Sequence, residues 1–479
     1  MIINSVSFLI FFLVFLFVYF LLLKNNAKWQ NFYTLVASYF FYGWADWRMV
    51  PLLIVYTIIF YYVGIDIGQT ISENNKRRAK VYLMLGVVLG VSILFFFKYL
   101  NFLFSGIVKI SCWLGLQANY SSLKIILPLG VSFFTFKFIS YVVEVWRGNI
   151  RPTKDFVTFA TYIAFFPTIM SGPIDRPGTF IPQLEHSRHV NWRNVEEGCK
   201  RILWGLFCKM CIADVVCSYT DSVFDNLHEH SAVSIVFATV LYSFQIYADF
   251  NGYSNMAIGV GQIMGIKVME NFRQPYFADS VSDFWRRWHI SLSTWIRDYI
   301  YIPLGGNRKG KVRMYVNQLV AMTLCGLWHG ANLTFVVWGL LHGILVCVHK
   351  FYSQTILHHD RHYHAGGGRK LCSVLLTFVA VSIAWQFFRI NQISDYAVIL
   401  SQFMKGPGSL FLMDPQVFSC GLLSIMIMIY KDFVDEYHKG WRFLSAEKLS
   451  VRLTSIAFLI SYILLFGSLY GKSFIYFQF

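Results

Sequence analysis

Charge is what this sequence has least of. Asp, Glu, Lys and Arg make up 14% of its 479 residues, against about 25% in soluble domains. That is too few to clothe a water-soluble fold. With 56% hydrophobic residues and a mean hydropathy of +0.51, an ordinary globular enzyme is excluded. Acidic residues are the scarcer sign: 25 Asp and Glu stand against 41 Lys and Arg, a net charge of +16. No nucleic-acid-binding motif accompanies that excess, and loops kept on the cytoplasmic side of a membrane explain it without a nucleic-acid partner. A disulfide framework is missing too. Nine cysteines lie scattered along apolar segments, and an odd count defines no such scaffold. Cys208 and Cys211 form a Cys-x-x-Cys, but inside an apolar helical run and without the second pair of a zinc site.

Other chemistries are excluded by motifs that do not occur. Gly305-Gly306 is a turn signal with no Walker or dinucleotide pattern around it. Asp249-Phe-Asn-Gly-Tyr-Ser-Asn255 offers oxygen atoms but lacks the spacing and closing Glu of a calcium loop. There is no Gly-x-Ser-x-Gly nucleophile elbow. His358, His359, His362 and His364 crowd a polar loop where only composition suggests a metal. No internal repeat emerges.

What is there is a succession of apolar runs. Residues 5–23 read as a retained first helix, since no basic residue precedes them and Lys24 follows in place of a small-residue cleavage site. Residues 31–44 and 49–65 form a hairpin. The run Asn75-Lys-Arg-Arg-Ala-Lys80 marks a cytoplasmic loop. Residues 81–97 lead out and 125–143 return, with a kink expected at Pro128 and Gly130. Residues 156–169 are short enough to be re-entrant, and 185–201 read as a basic interfacial helix. Runs at 203–216, 233–248 and 256–266 follow. Gly265, Pro275 and the stretch 283–306 then interrupt regular spanning, which is tolerated where backbone lines a cavity. A second basic loop, Asn307-Arg-Lys-Gly-Lys-Val-Arg313, precedes a hairpin of 315–328 and 333–348. Runs at 371–388, 417–430 and 453–469 complete the chain. The expectation is an all-α, polytopic integral membrane protein of roughly 11–13 membrane helices, broken or re-entrant segments included, with residues 1–479 as a single membrane-embedded domain.

Two stretches concentrate candidate chemistry. From Asp283 to Gly306, the residues Arg286, Arg287, His289, Arg297 and Asp298 stand among Trp285, Trp288 and Trp295. Polar groups at that depth must face protein or a water-filled cavity. On a continuous helix Trp285, Trp288, His289 and Leu292 would share one face. Arg286 and Arg287 read either as groups that attract a phosphate-bearing donor or as interfacial anchors. In the second stretch, Cys325-Gly-Leu-Trp-His-Gly-Ala-Asn332, His329 ends an apolar run with no charge beside it. A histidine is the usual general base for a hydroxyl; the plainer role is a neutral ring bonded to a neighbouring helix. Gly330 is expected to leave room for a substrate. His342 reads as structural.

These residues resemble the membrane-bound O-acyltransferases, in particular the bacterial branch that contains the alginate O-acetyltransferase. The likeness runs through Phe97-Lys-Tyr-Leu-Asn-Phe102, Leu127-Pro-Leu-Gly-Val-Ser-Phe-Phe-Thr-Phe136, Ser171-Gly-Pro-Ile174 with Phe180-Ile-Pro-Gln-Leu184, and Gln245-Ile-Tyr-Ala-Asp-Phe-Asn-Gly-Tyr-Ser254. It continues in Trp285-Arg-Arg-Trp-His289, Trp328-His329-Gly330 and Phe474-Ile-Tyr-Phe-Gln-Phe479. Lys137, Asn251 and Asn255 depart from the pattern, where Gln, Ser and Asp are expected. The resemblance implies a ring of helices around a tunnel, with donor arriving from the cytoplasm and acceptor from the other side. It places the invariant histidine on His329 and the second on His289, with Trp285, Arg286, Arg287, Trp288, Ser291, Trp328 and Asn332 around the substrates.

The expected function is O-acetyl transfer to a hydroxyl of an exported or cell-envelope polysaccharide. The donor would be acetyl-CoA; no bound cofactor or metal is required. Periplasmic or extracellular acetyltransferases and membrane lipids are the implied partners, and the cytoplasmic (inner) membrane the implied location. Rival readings are D-alanyl transfer from a carrier-protein thioester and, from another class, a transporter or export channel.

Overall fold

The computed structural model describes all residues except 117–118, 354–366, 414, 439–443, 469–473 and 476–479; of 416–417 it describes the backbone alone. The four-histidine loop and most of the C-terminal motif lie outside the described residues. Among the described residues the regular structure is helical, with no strand.

Among the described residues seven stretches are long and apolar enough to cross a membrane, among them Ala27–Ser72, which a tight turn at Trp47–Met49 interrupts; the hairpin expected of 31–44 and 49–65 is not a closely packed pair. The helices wear their apolar residues outward as well as inward. On Val6–Phe17, Phe8, Phe12 and Phe15 are buried while Val6, Leu9, Ile10, Leu13, Val14 and Phe17 are exposed. In water that outer face would be costly, at about 25 cal/mol per Å²; against acyl chains it costs nothing. This is a multi-pass membrane protein. Helix starts carry side-chain caps: Asn26 accepts from the Trp29 N–H and Asn75 from the Arg78 N–H, as short polar side chains do at helix N-termini.

The chain forms two compact units. The first comprises residues 1–201 and 256–269. Several of its buried polar groups satisfy one another, as membrane depth favours. Gln30 donates to the Arg188 carbonyl at 2.8 Å and accepts from its N–H at 2.9 Å. Asn31 donates to the Leu184 carbonyl at 2.8 Å and accepts from Arg188 Nη2 at 2.7 Å. Lys137 is buried and donates to Thr168 Oγ1 at 2.9 Å. The kink expected within 125–143 is instead a helix start. Gly130 has φ 71°, and Val131–Trp146 begins after it. A left-handed residue cannot continue a helix, and a Cβ there would come within 2.2 Å of the Ile169 carbonyl oxygen, so only glycine fits.

The second unit comprises residues 202–255 and 270–479. Helices Lys311–His329 and Leu333–Phe351 form the expected hairpin. A Cβ on Gly326 would lie 2.2 Å from the Phe335 carbonyl oxygen and 2.9 Å from Gly339 Cα: small residues let the two backbones approach. Helices Gly367–Arg389, Pro415–Tyr437 and Leu449–Phe466 match expected runs, whereas Ile393–Met404 was not anticipated. The runs 233–248 and 256–266 are one helix, Ala232–Ile263, so the Asp249–Asn255 segment is no loop. Two of its polar side chains are occupied: Asn255 bonds back to the Asn251 carbonyl at 2.9 Å and Asp249 takes Lys209 at 2.9 Å.

Candidate active site

The shared helical face expected for Trp285, Trp288, His289 and Leu292 does not form. The helix stops at Arg287, Trp288 is extended, His289 is left-handed with φ 42° and ψ 55°, and a new helix runs Ile290–Ile296. Left-handed backbone is unfavourable for a residue with a Cβ, and a crossing segment holds it. The Ile290 N–H donates to the Asn271 carbonyl at 2.9 Å, and the Arg273 N–H to the Arg287 carbonyl at 3.0 Å. The Asn271 amide fixes the side chains. Its Oδ1 accepts from Ser291 Oγ at 2.7 Å and lies 3.1 Å from His289 Nδ1, while its Nδ2 donates to Ser254 Oγ at 3.1 Å. An amide oxygen only accepts, so His289 carries its proton on Nδ1 and presents Nε2 as an acceptor. His289 is fully buried.

His329 is the last residue of its helix and 3% exposed. Rings box it in: Trp328, Trp338 and Phe388 lie at centroid distances of 4.9, 5.1 and 5.2 Å, each steeply inclined to the imidazole. Trp328 also lies 6.1 Å from His289, so one indole neighbours both histidines. The box continues through Trp338 to His342 at 4.8 Å. Trp285 Nε1 donates to His342 Nδ1 at 3.3 Å, and Trp288 packs on Trp385 at 4.9 Å. The room expected beside Gly330 is filled: a Cβ there would meet the Phe335 ring at 2.1 Å. Its glycine serves packing on that side.

A cavity of about 560 Å³ begins at the residues that follow His329, which does not itself line it: Gly330, Ala331, Asn332, Phe335 and Phe388 form its wall together with Lys209, Asp214, Tyr242, Gln245, Asp249 and Arg389. Asn332 is fixed by capping the next helix and by donating to the Asn391 carbonyl at 2.7 Å. The adjacent arginines part company. Arg286 is exposed. Arg287 is buried, 2.6 Å from Asp283 and 2.9 Å from Glu436, so a phosphate would have to compete with two carboxylates for it.

Sequence reasoning therefore singled out both histidines and the indoles around them, but not Asn271, Trp338, Trp385 or the charged cavity wall. No local spacing marks those residues; only the fold assembles them. Cys208 and Cys211 are buried in a helical turn of wide pitch, Cys208–Ala213.

Residues 148–370 match the profile of the membrane-bound O-acyltransferase family; both histidines fall inside that span. Over 395 residues the chain is 38% identical to the probable alginate O-acetylase of Pseudomonas aeruginosa, covering 81% of this chain and 72% of that protein. Over 402 residues it is 35% identical to the peptidoglycan O-acetyltransferase of Helicobacter pylori, covering 78% and 74%. The teichoic acid D-alanyltransferase of Bacillus subtilis is 30% identical over 251 residues, 50% of this chain and 62% of that one.

Proposed function

The chain belongs to the membrane-bound O-acyltransferase family and is an O-acyltransferase, and on that premise we propose that it moves acetyl groups from a cytoplasmic thioester, acetyl-CoA, to a hydroxyl of a cell-envelope or exported polysaccharide. The observation that carries this reading is His329 at a helix end, with the polar cavity opening at the next three residues. An acceptor hydroxyl has a pKa far above neutral. With the His329 imidazole beside it, the hydroxyl proton passes to the ring as the oxygen attacks the thioester carbonyl. The carbon–sulfur bond then breaks, and the thiolate leaves and takes up a proton. His289 would position the acceptor or relay that proton through Nε2. The acetyl assignment is supported by the two O-acetyl-transferring relatives, which are matched over most of this chain; the D-alanyl-transferring relative is matched over half of it.

The cavity lies at the far end of helix Lys311–His329 from the basic loop 307–313, about 28 Å away at 1.5 Å per residue. Basic loops favour the cytoplasmic side, which supports an acceptor arriving from outside and a site in the cytoplasmic (inner) membrane. Arg286, exposed, is then the arginine better able to meet a donor phosphate. Periplasmic or extracellular acetyltransferases would receive the acetyl group or pass it on.

General base catalysis is typically worth about 10²–10⁴-fold. His329→Ala should therefore abolish detectable polymer acetylation in membranes while the protein stays abundant there. His329→Gln, closer in shape, should be equally inactive. Normal acetylation by either variant would overturn the proposal.

A further inference from the structure

The ring box around His329 continues to a histidine that the transfer step leaves unused. His342, read from the sequence as structural, is fully buried on helix Leu333–Phe351. Its Nδ1 accepts the Trp285 indole N–H at 3.3 Å. Trp285 lies on helix Val281–Arg287, just before the turn at His289. Helix Leu333–Phe351 is the second arm of the hairpin whose first arm ends at His329. The bond therefore ties the segment that carries His289 to the hairpin that carries His329. Trp338 closes the junction. Its ring lies 4.8 Å from His342, 5.7 Å from Trp285 and 5.1 Å from His329.

Packing alone does not require a histidine here. Phe284, Trp285, Trp338 and Trp385 surround the ring, and a phenylalanine would fill such a place with no polar atom to satisfy. The imidazole carries one. An indole N–H only donates, so His342 Nδ1 accepts and the proton sits on Nε2. That Nε2 is buried with no hydrogen-bond partner among the described residues, which is unfavourable. What offsets it is the acceptor on the other side of the ring, without which the Trp285 N–H would lose its partner.

We propose that His342 is a positioning residue for the acyl transfer: through its hydrogen bond to Trp285 it fixes the helix before His289 against the hairpin that carries His329, and so sets the spacing of those two histidines. The inference rests on the transferase reading above and adds a residue that acts through Trp285. Reacting groups must be held closely, and a misplacement of about 1 Å can cost on the order of 100-fold in rate. Loss of this bond lets the Trp285 helix shift relative to Trp338, and the shift reaches both histidines at once.

The test sets two substitutions in opposition, in the full-length protein in detergent with acetyl-CoA turnover as the readout. His342→Phe keeps a ring and loses the acceptor. His342→Asn loses the ring and keeps an acceptor near the Nδ1 position. A positioning bond ranks Asn above Phe in kcat; packing alone ranks them the other way. His342→Phe should lower kcat by about tenfold at an unchanged acetyl-CoA KM. His342→Asn should lose no more than about threefold, although it melts at the lower temperature. Trp285→Phe removes the donor and should lower kcat as His342→Phe does, with the double substitution no lower than either. In protein labelled with ¹⁵N-tryptophan, the Trp285 indole resonance is identified by its absence from Trp285→Phe. It should move upfield in His342→Phe and return toward its wild-type position in His342→Asn. Phe above Asn in kcat, additive losses in the double variant, or an indole resonance unmoved by His342→Phe would each overturn the inference. Where His342→Phe does not accumulate in membranes, Trp285→Phe decides, and wild-type kcat in that variant overturns it. Its failure is separable from that of the transferase reading. Phe above Asn, with acetylation that needs His329, removes the positioning role alone. Asn above Phe, with acetylation that survives His329→Ala, leaves the bond and its effect on kcat standing and removes the proposed base.

Discussion

The turn at His289 and the helix end at His329 carry the same side chain and hold it in opposite ways. At His289 the backbone is left-handed, which costs on the order of 1–2 kcal/mol, and hydrogen bonds from Asn271 and its neighbours maintain it. At His329 an unstrained helix runs into extended Gly330, and three aromatic rings set the imidazole in place. The difference is chemical. A hydrogen bond to Nδ1 decides which nitrogen of His289 keeps its proton. Ring packing decides where the His329 imidazole sits. The first arrangement suits a fixed acceptor that orients a substrate; the second sets an imidazole at a helix end.

Breaking the aromatic side should do the most damage. Trp338 is fully buried and touches His329, His342, Trp285, Trp385 and Phe388. Trp338→Ala should cost about 3–5 kcal/mol, seen as a large drop in thermal melting temperature in detergent, with activity lost. Breaking the hydrogen-bonded side should cost less. Asn271→Ala leaves Ser291 and Ser254 without their partner and should destabilise by about 1–3 kcal/mol, while acetylation falls further than the melting shift explains, because the His289 ring is no longer held. If Asn271→Ala proves the more destabilising of the two, the contrast between packed and bonded histidines is wrong. The smallest effect belongs to Arg286. Arg286→Gln should change stability by no more than about 0.5 kcal/mol yet raise the donor KM in steady-state assays with acetyl-CoA. An unchanged KM would return this residue to the role of interfacial anchor.

Much of the frame was legible in the sequence because its cause is local. An apolar run of spanning length must be helical in lipid whatever surrounds it. The hairpin Lys311–His329 and Leu333–Phe351 shows in two such runs separated by Gly330, Ala331 and Asn332. The histidines stood out because ionisable residues are rare among such runs. The helix starting at Val131 was misread as a kink, since Pro128 and Gly130 mark a break in either case and only the Ile169 carbonyl against Gly130 distinguishes them.

What the chain determined alone is therefore its apolar segments, its basic loops and the identity of two histidines. The tertiary structure decided what those histidines can do. Trp285, Trp288, His289 and Leu292 keep the spacing of an unbroken helix straight through the break, because the break is imposed by Asn271, which is remote in sequence. Arg286 and Arg287 are alike as letters, and become one exposed and one neutralised guanidinium only because Asp283 and Glu436 are brought to the second. The cavity wall draws on residues from Lys209 to Ile475. Helical periodicity reaches no further than a few turns, and a charge balance set by contacts across hundreds of residues leaves no pattern within any one of them.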